Sequence, residues 1–268
     1  NPGTREAAVE QLVSEYDEAA QKGTRTETVL AFTSKHGAAL TRAYVTGHQT
    51  LSPKSRLALI NLLVSLDDPV TMPALVLALE RYGKTSEGAE DAIAAAQAAR
   101  KQRSPELAKA LMVAFEALDT SDKDGRRFSA YLEPAMLFNA TTDWTPKLRG
   151  ILERPIVRPE RFDDKPAVRE FNNQRFWQIT AAKLLGRLRD PSAARSLFGV
   201  MCDPDKRDIQ VEASRAFAGL GVPAVKLAHE LLSGTSPELV ADATRWQPQL
   251  SDAHVVLAAK LLAELAHP

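Results

Sequence analysis

Two windows 122 residues apart constrain the fold more than any other feature of this chain. Leu62-Leu63-Val64-Ser65-Leu66-Asp67-Asp68-Pro69, with Leu75 beyond, matches Leu184-Leu185-Gly186-Arg187-Leu188-Arg189-Asp190-Pro191, with Leu197 beyond, in residue type and spacing. Each window reads as the end of an apolar helix, a turn whose Asp can cap the next helix, a Pro at a first helical position that needs no N–H, and a second apolar helix. One such pair of helices cannot bury both of its faces. Copies must stack, and the product is a solenoid with a continuous core.

A looser copy is Ala216-Phe217-Ala218-Gly219-Leu220-Gly221-Val222-Pro223, which keeps the proline and loses the acid; Ala98-Ala99 leading to Ser104-Pro105 is fainter. The turn prolines Pro69, Pro105, Pro146, Pro191 and Pro223 are 36, 41, 45 and 32 residues apart, which brackets the periods of two-helix repeats. The spacing predicts helix pairs at about 52–83, 87–119, 127–154, 171–202, 207–233 and 236–267. Ahead of them, Thr4 is a good N-cap for a helix to about Gln21, ended by Gly23. Two short helices, Glu27–Phe32 and Ala38–Tyr44, are expected on either side of Gly37. Composition agrees with an all-helical reading. The 42 Ala and 33 Leu are strong helix formers, and they supply small and large core positions, whereas strands favour branched and aromatic residues. The expected fold is all-α: an α–α superhelix of about six helix pairs over residues 51–268, one elongated repeat domain, with residues 1–50 as an N-terminal helical cap.

The Leu-x-Asp-Pro turn between paired helices, with small residues inside the first of them, resembles HEAT repeats of the short bacterial kind, related to the phycobilisome-lyase HEAT-like repeats. The resemblance covers residues 52–267 and is strongest at 56–80 and 176–232. The stretch Phe176-Trp177-Gln178-Ile179-Thr180-Ala181-Ala182-Lys183-Leu184-Leu185-Gly186, preceded by Arg154-Pro155-Ile156-Val157-Arg158-Pro159, is also similar to processed, lipid-anchored HEAT-repeat proteins of predatory or social deltaproteobacteria. That resemblance implies a periplasmic or envelope-associated lipoprotein rather than a cytoplasmic one. It fits a sequence that opens on Asn1-Pro2-Gly3 instead of Met, with a lipid-modified cysteine expected upstream of Asn1.

The balance of 34 Lys+Arg against 34 Asp+Glu argues against nucleic acid or an anionic membrane as the main partner. A single cysteine excludes an internal disulfide and any cysteine-built zinc or iron–sulfur site. No run of about 18 apolar residues is present. The five histidines are scattered with no i, i+4 pair, and Cys202 has no histidine near it in the chain. Nucleophile-elbow, Walker and dinucleotide-binding patterns are absent, so no cofactor is expected. Asp119-Thr120-Ser121-Asp122-Lys123-Asp124-Gly125 has the alternating carboxylates of a calcium loop. Its twelfth position would be Tyr131, however, and without the bidentate acid it reads as a solvated turn.

One stretch interrupts the repeat. Residues 155–170 carry three prolines and mixed charge, which predicts a long loop, and loops of this length are usually functional or mobile. From Lys147 to Arg189 there are 11 Lys+Arg against 5 Asp+Glu, interleaved with Trp144, Phe162, Phe171, Phe176 and Trp177. Arginine and aromatics dominate binding hot spots. The competing reading is that the aromatics fill core and the arginines pair with Asp163, Asp164 and Glu170. The function expected is a non-enzymatic protein–protein interaction scaffold, with Arg158 and Arg161 first among the partner-binding residues, then Phe162, Trp144 and Arg169. Fold resemblance supplies two alternatives. HEAT-like DNA glycosylases would use Trp144, Trp177 and Asp163 beside the basic stretch, and a bilin lyase-like protein is implied by the repeat family alone.

Overall fold

The computed structural model describes residues 2–23, 25–84 and 86–266. Among them every regular element is helical. The helices are α1 (Pro2–Lys22), α2 (Arg25–Gly47), α3 (Pro53–Leu66), α4 (Met72–Tyr82), α5 (Ala89–Ala99), α6 (Pro105–Ala117), α7 (Lys123–Asn139), α8 (Thr145–Glu153), α9 (Lys165–Leu188), α10 (Ala194–Cys202), α11 (Arg207–Gly219), α12 (Val222–Ser233), α13 (Pro237–Trp246) and α14 (Ala253–Ala266). The fold is all-α, a helical repeat in which, within each unit, helices pack on a sequence neighbour, on alternate helices or on both. The chain divides into two compact units, 1–139 and 140–268, and the boundary falls inside the expected 127–154 pair.

The matched windows have the same backbone. Asp67 and Arg189, equivalent in the two copies, both end their helix in the left-handed conformation, at φ 48° and φ 54°. The third copy departs from this: Gly221 stands at that position with φ 70° and ψ −119°, outside the left-handed helical region, and precedes α12 directly. In the first two copies the next residue turns the chain: the Asp68 side chain accepts from the Val70 N–H at 2.8 Å, and Asp190 from the Ser192 N–H at 2.9 Å. The Asp caps a short 3₁₀ turn, Pro69–Thr71 or Pro191–Ala193, which leads directly into the second helix. Asp203-Pro204 repeats the device, accepting from the Asp205 N–H at 2.9 Å.

All the helices expected from residue 52 onward are present, but their closest partners differ from the predicted pairs. Backbones approach most tightly between α2 and α3, α4 and α5, α8 and α9, and α10 and α11, and between alternate helices such as α5 and α7 or α9 and α11. Helices joined by the turns at Asp68-Pro69 and Asp190-Pro191 approach each other less closely, whereas α10 and α11, joined by Asp203-Pro204, pack tightly. Small side chains explain the choice. α5 buries Ala92, Ala94, Ala95, Ala96, Ala98 and Ala99, and Gly186 of α9 lies so near Ala216 of α11 that a Cβ there would sit 2.9 Å from its Cα.

Three local expectations are corrected. α1 begins at Pro2, two residues before the predicted Thr4 cap. The two short helices expected around Gly37 are one helix, α2. A mid-helix glycine costs about 1 kcal/mol, and packing outweighs it: Gly37 is buried, and from the next turn Thr41 donates its hydroxyl to the Val70 carbonyl at 3.0 Å. The loop predicted for 155–170 stops at 164, because Pro166 falls in the first turn of α9, where no N–H is needed.

The first unit contains a buried polar cluster that no motif announced. Arg56 and Asp91, 4% and 2% exposed, form an ion pair at 3.0 Å. Tyr44 donates its hydroxyl to the same carboxylate oxygen at 3.0 Å. Arg56 also donates to the Glu87 carbonyl at 3.2 Å and lies 4.3 Å over the Tyr82 ring. Burial, then the neighbouring carboxylate, holds the Tyr44 phenol above its ordinary range. The cluster ties α2, α3 and α5 at one point, so charges that burial alone would penalise are paired and hydrogen-bonded.

Candidate functional site

The connection from α8 to α9, residues 154–164, holds three of the five predicted partner-binding residues, Arg158, Arg161 and Phe162; Arg169 is exposed on the second turn of α9. The loop is fixed at several points. Ile156 is buried at 7% exposure, and the fully buried Gln178 donates its amide to the Arg154 carbonyl at 2.9 Å. Asp164 closes the far end, accepting from the Ala167 N–H at 3.2 Å as the N-cap of α9.

Charge pairing orders the middle. Arg158 donates to Asp208, at the start of α11, at 3.3 Å, and its guanidinium lies 5.8 Å from the Phe171 ring centre. Arg175 reaches the same Asp208 oxygen at 3.8 Å. Arg161 grips Asp163 with two parallel hydrogen bonds of 3.0 and 2.6 Å. The pairing of arginines with nearby acids therefore holds for Arg161, while Arg158 finds an acid 50 positions away. Such exposed pairs contribute about 0–1 kcal/mol each, enough to orient a loop and too little to define one.

Held this way, with Ile156 turned inward, the loop turns its other two large apolar side chains outward. Phe162 is 88% exposed and Val157 74% exposed. An isolated exposed apolar residue is ordinary, but two on one anchored loop, rimmed by guanidinium groups, form the type of surface used as a binding anchor. Val157, Asp208 and Gln178 carry no signal in the sequence. Val157 looks like one more loop residue, and the other two act through contacts that no local spacing encodes.

Trp144 is corrected: it is buried at 7% exposure in the 3₁₀ turn Thr142–Trp144 that opens α8, where it packs as core instead of joining the exposed loop. Phe171, Phe176 and Trp177 are partly buried along α9. Of the residues a DNA-glycosylase reading would need, Trp144 is thus covered and Asp163 is held by Arg161.

The remaining polar candidates have structural partners. In the calcium-like turn, Asp119 accepts from the Ser121 N–H at 3.0 Å, and Asp122 accepts from the Asp124 and Gly125 N–H groups at 3.0 and 3.3 Å at the start of α7. Among the described residues no group of three His, Cys, Asp or Glu side chains is placed to hold a metal. Cys202 is fully buried, and burial pushes its thiol up to about 12, far from a thiolate nucleophile at neutral pH. No described helix is long and apolar enough to cross a membrane.

Fold and site define an all-α helical repeat protein with an anchored, apolar-tipped loop in its second unit. No protein-family model, curated protein or solved structure matches this chain detectably.

Proposed function

We propose that the chain is a HEAT-like interaction scaffold without catalytic activity, and that it holds a partner protein through the loop between α8 and α9. The observation that carries this reading is Phe162, 88% exposed on a loop whose two ends are fixed by Gln178 and Asp164. A rigid loop loses little freedom on binding, so burial of Phe162 and Val157 contributes most of its free energy to affinity. Arg158, bonded to Asp208 and with about half of its side chain exposed, supplies the polar rim with Arg161 and Arg169. The resemblance in the repeats supports the scaffold part of the reading, and its similarity to lipid-anchored repeat proteins supports an envelope location.

Affinity capture from the native cells, coupled to mass spectrometry, tests the proposal. The wild-type chain is expected to retain a partner that the triple variant Arg158→Ala, Arg161→Ala, Phe162→Ala releases, with affinity reduced at least about tenfold. Unchanged helical circular dichroism of the variant would show that folding is not the cause. Equal retention by both chains would overturn the assignment of the loop.

A further inference from the structure

A second polar feature lies in the second unit, in a groove formed by α8, α10, α13 and the Asp203-Pro204 turn. Its lining carries four cationic groups, Arg149, Arg195, Lys206 and Arg245, against three carboxylates, Glu153, Asp203 and Asp242. Each carboxylate has a partner on at least one oxygen. Asp242, itself buried, takes Arg195 at 2.9 Å on one oxygen and Arg245 on the other. Asp203 caps its own turn through the Asp205 N–H at 2.9 Å, and Glu153 accepts the Ser196 hydroxyl at 3.0 Å.

The donors are not used up. Among the described residues, Arg149 donates from its Nε, to Ser196 Oγ at 3.2 Å. Arg245 spends one Nη on Asp242, and Arg195 keeps a buried Nη1 with no acceptor among the described residues. Lys206 is buried at 5% exposure and donates to the Leu152 carbonyl at the end of α8. A buried or half-buried cationic donor left without an acceptor is costly, and the cost falls when an anion supplies one. The groove is open at Gly199, which lines it: a Cβ there would meet nothing within 4 Å.

We propose that this groove binds an oxyanion, a carboxylate or a phosphate, on the guanidinium groups of Arg149 and Arg245, with Arg195 and Lys206 adding positive charge behind them. Planar guanidinium forks match both anions, and Arg149 and Arg245 stand on different helices, so a bound anion would join α8 to α13. The site rests on donors and acceptors within the second unit alone and is independent of the partner-binding loop.

Isothermal titration calorimetry at fixed ionic strength, with inorganic phosphate and with acetate in separate runs, tests it. Saturable binding of at least one anion to the wild-type chain is expected. Arg149→Gln and Arg245→Gln should each weaken it about tenfold, the loss of one charge-assisted hydrogen bond. Arg187→Gln, an exposed change on α9 outside the groove, should leave it unchanged. Gly199→Met fills the groove without removing a charge and should abolish binding. A preference for phosphate assigns the natural ligand to phosphoryl groups, and a preference for acetate assigns it to carboxylates. Absence of saturable binding by either anion would overturn the proposal, as would equal binding by wild type, Arg149→Gln and Gly199→Met. If Arg245→Gln unfolds, the last two variants decide alone.

Discussion

Arg189 holds a left-handed backbone conformation that costs an L-residue with a Cβ about 1–2 kcal/mol. The chain accepts the cost because this residue's N–H closes α9 on the Leu185 carbonyl at 3.0 Å and frees Asp190 to cap the next turn. Glycine takes the same conformation without that penalty, as Gly234 does at the end of α12, but it leaves the unfolded chain more freedom. Arg189→Gly is therefore expected to raise the unfolding free energy by about 0.5–1 kcal/mol, read from urea denaturation midpoints at unchanged slope. Lys206 acts in the opposite sense. Its amine is buried, and desolvation lowers its pKa below the ordinary 10.5. In the unfolded chain the proton stays on up to about that pH, while in the folded chain it leaves earlier. Between the two values the unfolded state binds more protons, so stability should rise with pH through that window. Lys206→Met should flatten the rise, measured by denaturant titrations across the alkaline range.

At the scale of elements, the closest helix contacts are governed by small residues rather than by the prolines that mark the repeat. Gly186 faces Ala216 across the α9–α11 contact with no room for a methyl group. Gly186→Ala improves helix propensity by about 1 kcal/mol, yet the overpacking it introduces costs about 1–3 kcal/mol. The net expectation is a lower thermal midpoint, with the hydrogen-exchange protection of α9 and α11 reduced first. Each helix beyond residue 52 was legible because stretches rich in Leu and Ala are punctuated by Pro and by Ser or Asp caps, though at uneven spacing. Which helices pack most closely was not, because that depends on how near two backbones can come. The Ala run of α5 signals a close contact without naming the partner. The α2 region failed for a related reason: Gly37 looks like a breaker in isolation, and the Val70 carbonyl that accepts from Thr41 comes from a turn 29 positions away.

At the scale of the whole molecule, the zero net charge conceals a separation. The first unit carries 16 Lys+Arg against 18 Asp+Glu and the second 18 against 16, while residues 147–189 alone carry 11 against 5. The sequence located this basic segment correctly and placed Arg158, Arg161 and Phe162 on one loop. It could not tell that Trp144 would be covered while Val157 stood exposed, since both are apolar residues near prolines and only the tertiary fold separates them. The Asp208 and Gln178 contacts were invisible for the same reason. The left-handed residue leading into Asp-Pro has a further consequence. It stops one helix and leads into the next within six positions, using hydrogen bonds that lie close to the turn itself. A gene that duplicates or loses such a segment carries its own punctuation with it, so a chain of this kind can change length by whole units while the neighbouring helix ends stay as they were.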